Sequence, residues 1–223
     1  MKNNYLDRVE TLIGKEKLRK LRSKKVLICG VGGVGSFVAE GLARSGIGHI
    51  TLCDFDVVDA SNLNRQLMTS KKNIGEIKTD ALKKRLEEVS DAKIDTINAY
   101  IDEDFKLKKY DYVVDCIDSL NSKFALVKKA HEKDIPIISS LGTARRLTCM
   151  NIKRTTLDKT QNDPLAKAFR TLVKKNNYKK KINVVYVDSP AIKSKELGSS
   201  IFTVGSAGLF IASEVYNDLL KKC

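Results

Sequence analysis

The stretch from Lys25 to Gly35, KVLICGVGGVG, decides how this chain folds. Lys25–Gly30 is a short apolar run bounded by charge and glycine, the pattern of a strand covered on both faces in a parallel sheet. Gly30, Gly32, Gly33 and Gly35 follow at once, and helical spacing starts at Gly35 and runs to about Ser45. Glycine lacks a Cβ, so the backbone can turn tightly and approach a ligand, while a helix N-terminus offers unpaired N–H groups and partial positive charge. Strand, glycine turn and helix in that order predict a nucleotide-phosphate cradle at these glycines rather than a turn that merely packs.

Outward from this motif, His49–Asp54 repeats the strand signal. Ile77, Ala81, Leu82 and Leu86 give helical spacing within Ile74–Val89. Ile94–Ala99 and Tyr110–Cys116 read as strands, a helix lies near Lys123–Lys133, and Ile135–Ser139 is a further strand. The alternation predicts an α/β fold, a doubly wound Rossmann-like and mostly parallel sheet with helices on both faces. Beyond Gly142 the pattern loosens into a strand at Met150–Arg154, a helix from Pro164 to about Lys175, a strand at Asn183–Val187 and a final helix over Val204–Leu220. With no internal repeat or long linker, residues 1–223 are expected to form one domain. Residues 1–140 would be its nucleotide-binding core and 141–223 a basic C-terminal extension packed on that core.

Composition narrows the class. Of 223 residues, 42% are hydrophobic, 30% are charged and only 3 are proline, which excludes a disordered or fibrous chain. Cys29, Cys53, Cys116, Cys149 and Cys223 form no C-x-x-C pair, so no structural zinc is expected and a reducing compartment fits best. Residues 1–23 are mostly polar and do not read as a secretory leader. Ile201–Ala212, the most apolar C-terminal stretch, is too short to span a bilayer. A cytoplasmic protein without stable membrane insertion is the expectation.

Net charge is +14, and it is unevenly placed. Residues 1–119 carry 21 Lys and Arg against 19 Asp and Glu, whereas residues 120–223 carry 20 against 8. No acidic residue lies between Pro164 and Val187. Such a field attracts a polyanion; a lysine-rich solubilising surface is the alternative.

The chemistry lies after the second strand. Asp54, 19 residues beyond Gly35, stands where a carboxylate can hold the ribose hydroxyls of NAD or ATP alike. Asp56 and Asp59, in the loop beyond, have no assigned role. Ser61-Asn62-Leu63-Asn64-Arg65-Gln66, then Lys78, then Asp115-Cys116-Ile117-Asp118-Ser119 can all converge at the carboxyl edge of the sheet. Hydride transfer has no need of an arginine and a lysine beside a carboxylate. An enzyme that splits ATP does, because departing pyrophosphate accumulates negative charge.

These motifs, G-x-G-G-x-G, D-x-D, S-N-x-x-R-Q, a downstream lysine and D-C-x-D, resemble the ThiF/MoeB/HesA superfamily of adenylating enzymes related to ubiquitin-activating enzymes. Arg8–Gly14, Ala43–Gly48, Asp158–Lys167, Val184–Pro190 and Gly198–Leu209 are similar to its tRNA threonylcarbamoyladenosine dehydratase branch. The resemblance implies ATP and Mg2+ as cofactors. Gly30, Gly32, Gly33 and Gly35 would wrap the phosphates, Asp54 the ribose, and Asn62, Arg65 and Lys78 the triphosphate, with Asp118 near magnesium and the α-phosphate. Arg8 matches an arginine that crosses a dimer interface in relatives, so the resemblance implies that Arg8, Arg65, Lys78 and Asp118 would form the catalytic set of a homodimer.

The implied substrate is tRNA bearing threonylcarbamoyladenosine next to the anticodon. Its carboxylate would be adenylated and the modification cyclised with loss of water, releasing AMP and pyrophosphate. Arg145, Arg146, Lys174, Lys175, Lys179, Lys180 and Lys181 would contact RNA phosphates. A sulfur-transfer or desulfurase partner belongs to the same family context. The alternatives are adenylation of a ubiquitin-like sulfur-carrier protein, which the missing C-x-x-C pairs disfavour, a nicotinamide-dependent dehydrogenase, and a catalytically silent RNA-binding module. Among nucleophiles and bases, Cys116 stands at the edge of the site, whereas His49 and His131 lie on surroundings that suggest no catalytic role.

Overall fold

A computed structural model describes residues 4–194, 196 and 198–221. Strands β1 (Lys25–Cys29), β2 (His49–Asp54), β3 (Lys93–Asn98), β4 (Tyr112–Asp115), β5 (Ile137–Ser140), β6 (Ile152–Thr156) and β7 (Asn183–Val187) form one seven-stranded sheet in the order β3-β2-β1-β4-β5-β7-β6. All neighbours are parallel except β6, which runs antiparallel to β7 at the edge. The strand order reverses between β1 and β4, the topological switch point at which open α/β sheets bind ligands.

Alternation along β1 explains the two layers of helices. Val26 and Ile28 face one core with helices α3 (Gly35–Arg44), α4 (Lys78–Val89) and α7 (Ile201–Leu220). Leu27 and Cys29 face the other, with α5 (Leu120–Glu132) and α6 (Pro164–Lys175). At the N-terminus, α1 (Asp7–Ile13) and α2 (Lys15–Leu21) precede β1. Among the described residues no helix is long and apolar enough to cross a membrane.

The helix expected within Ile74–Val89 starts only at Lys78. Gly75 takes a left-handed φ of +90° in a turn, and Ile77 forms an antiparallel bridge with Val57, so the preceding residues are held out of the helix. The final helix starts three residues before the predicted Val204, because the Ser200 side chain caps it by accepting from Phe202 N–H. The C-terminal region does not sit beside the sheet but completes it: β7 pairs with β5 and then with β6. Arg154 of β6 forks to Glu214 and Asp218 of α7, each at 2.8 Å, and so fastens the last helix to the last hairpin.

One ion pair is wholly enclosed. Lys123 on α5 and Asp115 at the end of β4 are both fully buried, with Nζ 2.9 Å from Oδ2 and a second bond of 2.9 Å to the Ser140 carbonyl. Asp115 Oδ1 also accepts from Ile117 N–H at 3.1 Å, so the pair sets the course of the chain leaving β4. Burial raises the Asp115 carboxyl above its ordinary range, and Lys123 pulls it back. Replacing Lys123 by Met leaves a buried carboxylate without its counter-charge, a cost of about 3–5 kcal/mol. Urea unfolding of Lys123→Met should show that loss, and the double variant with Asp115→Asn should recover most of it. Equal stability for the single variant and the parent would refute the account.

Candidate active site

The cradle is built from glycine contacts. Gly30 has a φ of +82°, and a Cβ there would come within 2.6 Å of the Cys116 carbonyl oxygen. A Cβ on Gly35 would lie 1.9 Å from the Gly30 carbonyl oxygen. Only glycine lets α3 begin this close to the end of β1. No side chain caps that helix, so its N-terminus faces the loop uncapped.

Above the cradle opens a cleft of about 540 Å³. Gly30, Gly32 and Gly33 line its floor, and Asp54, Asn62, Arg65, Lys78 and Asp118 its walls. Gly35 lies behind the floor as the first residue of α3. Asp54 fastens the loop directly: Oδ2 accepts from Val31 N–H at 2.7 Å and Oδ1 from Asp56 N–H at 3.0 Å. Lys78, 6% exposed, opens α4 with its ammonium 2.7 Å from Asp56 Oδ2. Arg65 Nη1 donates to the Ser61 carbonyl at 2.7 Å and to Asn64 Oδ1 at 2.8 Å. Asn62 is buried in a tight turn over Ala60–Asn62, where its Oδ1 accepts from Asp59 N–H and the Asp59 carboxylate accepts from Ser61 N–H.

Three features have roles that the sequence reading did not assign. Asp56 and Asp59, given no role there, orient Lys78 and cap the Asn62 turn. Gln66 lines the cleft beside Gly32, and its buried Oε1 has no hydrogen-bond partner in the protein, which fits a site whose ligand completes the bonding. Phe55 and Tyr100, following β2 and β3, meet edge to face with centroids 5.2 Å apart at the mouth of the cleft, and the Tyr100 hydroxyl reaches Ser119 Oγ at 3.2 Å. Phe55 is only the variable position of the D-x-D motif and Tyr100 belongs to no motif, so their shared place at the sheet edge is what reveals them.

Other predicted residues lie elsewhere. Arg8 is exposed on α1 and does not line the cleft of its own chain. Lys174, Lys175, Lys179, Lys180 and Lys181 are exposed on the end of α6 and the loop beyond, with Lys180 donating to the His131 carbonyl. Arg145 is half-buried next to the cleft residues Thr143 and Ala144. Arg146 requires correction. It is 3% exposed and its guanidinium donates inward to the Asn162 carbonyl, so it cannot present charge to an external phosphate.

His49 lines a smaller cavity at the opposite, amino end of the strands, and His131 is engaged by Tyr178 on the far end of α5. Neither reaches the cleft. Cys116 does, but burial and the neighbouring Asp115 push its thiol up to about 12, so it carries no thiolate at neutral pH. Cys223 lies outside the described residues. Among those residues no three His, Cys, Asp or Glu gather to hold a metal. Asp54, Asp56 and Asp118 line the cleft, the first two already bonded to backbone N–H groups and to Lys78, so Asp118 suits magnesium held mainly through nucleotide phosphates.

This geometry has known counterparts. Residues 5–222 match the model of the ThiF family. The tRNA threonylcarbamoyladenosine dehydratase of Bacillus subtilis is 36% identical over 98% of this chain and 95% of its own length, and that of Haemophilus influenzae 30% identical over 99% and 96%. The crystal structure of the Escherichia coli tRNA N6-threonylcarbamoyladenosine dehydratase in complex with ATP superposes with a TM-score of 0.92 at 28% identity, covering 98% of this chain and 94% of that one. The AMP complex of that enzyme also gives 0.92 at 28% identity, over 96% and 93%. Matched along nearly its whole length by the family model and by its relatives, this chain belongs to the ThiF family.

Proposed function

We propose that this protein is an ATP-dependent dehydratase of threonylcarbamoyladenosine in tRNA. The observation that carries the reading is one cleft that joins a glycine cradle to Arg65, Lys78 and Asp118, in a chain whose near-full-length relatives bear that name. The substrate carboxylate is a poor electrophile. One of its oxygens attacks the α-phosphorus of ATP, the bond to the β,γ-pyrophosphate breaks, and an acyl adenylate forms. A nucleophilic atom of the same modification then attacks the activated carbonyl, the bond to AMP breaks, and a ring closes with net loss of one water.

The cradle holds phosphates through backbone N–H groups, and Asp54 binds the ribose with lone pairs left over from Val31 and Asp56. Lys78 and Arg65 stabilise the leaving pyrophosphate, an electrostatic effect commonly worth about 3–4 kcal/mol per well-placed donor. Both are held by neutral or acidic groups of the protein, so their charges are in place before ATP arrives. Magnesium, held by Asp118 and phosphate oxygens, would supply further neutralisation of charge. Ring closure is intramolecular, and its high effective molarity lowers the demand for a strong base. That suits a cleft which neither histidine reaches.

Arg8 acts on a neighbouring copy in this reading, which makes the working unit a homodimer. The exposed lysines from 174 to 181, with Arg145 nearer the cleft, guide the tRNA backbone. Because β7 and α7 complete the sheet and the cleft, the core and the basic extension work as one unit.

Mass analysis of tRNA nucleosides should show an ATP-dependent deficit of one water on threonylcarbamoyladenosine, and Lys78→Ala should slow its appearance by about 10²–10³-fold. Absence of the deficit with the parent protein would end this reading. Glutamate at Lys174, Lys175, Lys179 and Lys181 together should weaken tRNA binding and flatten its salt dependence by about one unit of slope per lysine. An unchanged slope would move the RNA to another face. Iodoacetamide at pH 8 should label the exposed Cys149 and spare Cys116, whose thiol stays protonated there; rapid labelling of Cys116 with loss of activity would restore it as a nucleophile.

A further inference from the structure

Asn64 belongs to the Ser61–Gln66 motif, yet it does not line the cleft. Its amide is bonded on both sides. Nδ2 donates to the Ser199 carbonyl at 3.0 Å, across 135 residues of sequence, and Oδ1 accepts from Arg65 Nη1 at 2.8 Å. A carbonyl only accepts and a guanidinium only donates, so the two partners fix which way the amide points.

Ser199 is itself a wall of the cleft. Next to it, Ser200 caps α7, whose Val204 packs over the cradle: a Cβ on Gly33 would meet Val204 Cγ2 at 3.2 Å and Arg65 Cγ at 3.5 Å. On the other side, the Gly198 carbonyl accepts from Arg145 N–H at 2.8 Å, just after the cleft residues Thr143 and Ala144. These residues follow β5 and precede α7, whereas Phe55 and Tyr100 follow β2 and β3 across the switch point. The aromatic pair and the Thr143–Ala144 and Ser199 wall therefore stand on opposite sides of the switch point.

We infer that Asn64 is a positioning residue that couples Arg65, on the pyrophosphate side, to the Gly198–Ser200 wall, where the acceptor carboxylate enters. The coupling has a direction. Arg65 already stands at the cleft, and on engaging a triphosphate it exchanges the Nη1 bond to Asn64 for one to a phosphate oxygen, which frees Oδ1 and leaves the amide bonded to Ser199 alone. Arrival of ATP is thus transmitted to the acceptor wall before the second substrate binds. The inference rests on the dehydratase reading only for the identity of the acceptor.

Asn64→Asp keeps an acceptor for Arg65 and removes the donor to Ser199; Asn64→Gln keeps both functions on a longer arm. Hydrogen exchange of amides 198–204 with and without ATP reads the coupling directly, and steady-state kinetics with ATP and modified tRNA varied separately reads its consequence. ATP should alter exchange of this segment in the parent and not in Asn64→Asp. In that variant KM for ATP should stay within about twofold while kcat/KM for the tRNA falls about tenfold, the scale of one lost hydrogen bond, with partial recovery in Asn64→Gln. The inference is overturned if the parent segment is indifferent to ATP, if Asn64→Asp responds as the parent does, or if its KM for ATP rises in step with the tRNA effect. A parent protein that makes no dehydrated nucleoside, yet shows the ATP-dependent exchange, refutes the dehydratase reading and leaves the coupling standing.

Discussion

Everything in this site depends on the close approach of two backbones. Helix α3 starts where a side chain on Gly35 would occupy the space of the Gly30 carbonyl oxygen. That contact aims the start of the helix at the end of β1, beside β4, where the strand order of the sheet reverses. Loops from β1, β2, β4 and β5 consequently open into one cleft, and each can supply a side chain without any strand leaving its register.

The cations around the cradle differ in how far they are committed. Lys123 is sealed from solvent between Asp115 and the Ser140 carbonyl, so its charge shapes the chain after β4 and never meets a ligand. Lys78 and Arg65 stand at the cleft with partners that hold them while leaving them within reach of a phosphate. Further out, the lysines at the end of α6 and in the loop beyond are exposed, where salt screens their charge. A chain of net charge +14 thus distributes its charge between a sealed internal pair, the walls of the cleft and an exposed basic surface.

Local features of this site were legible in the sequence. The strand, glycine turn and helix are contiguous, and Asp54, Asn62, Arg65, Lys78 and Asp118 follow at short intervals at the carboxyl ends of strands, so topology alone gathers them. Residues whose role depends on a distant partner were not legible. Arg145 and Arg146 are neighbours of identical charge, yet one is half-buried beside the cleft and the other enclosed against Asn162. Nothing local sets Asp56 apart from the other carboxylates of its loop; its partner Lys78 reaches it from α4.

The parallel α/β plan, the tight glycine turn and the strand-end residues beside it were thus readable from the chain alone, because periodicity, glycine spacing and strand-end position act over a few residues. Only the tertiary structure decided that β7 enters the sheet between β5 and β6, that Lys123 is sealed away, and that Asn64 meets Ser199. Those outcomes depend on which surfaces are buried together once the chain is packed. Hydrogen bonds and ion pairs across such surfaces join residues that no local pattern connects.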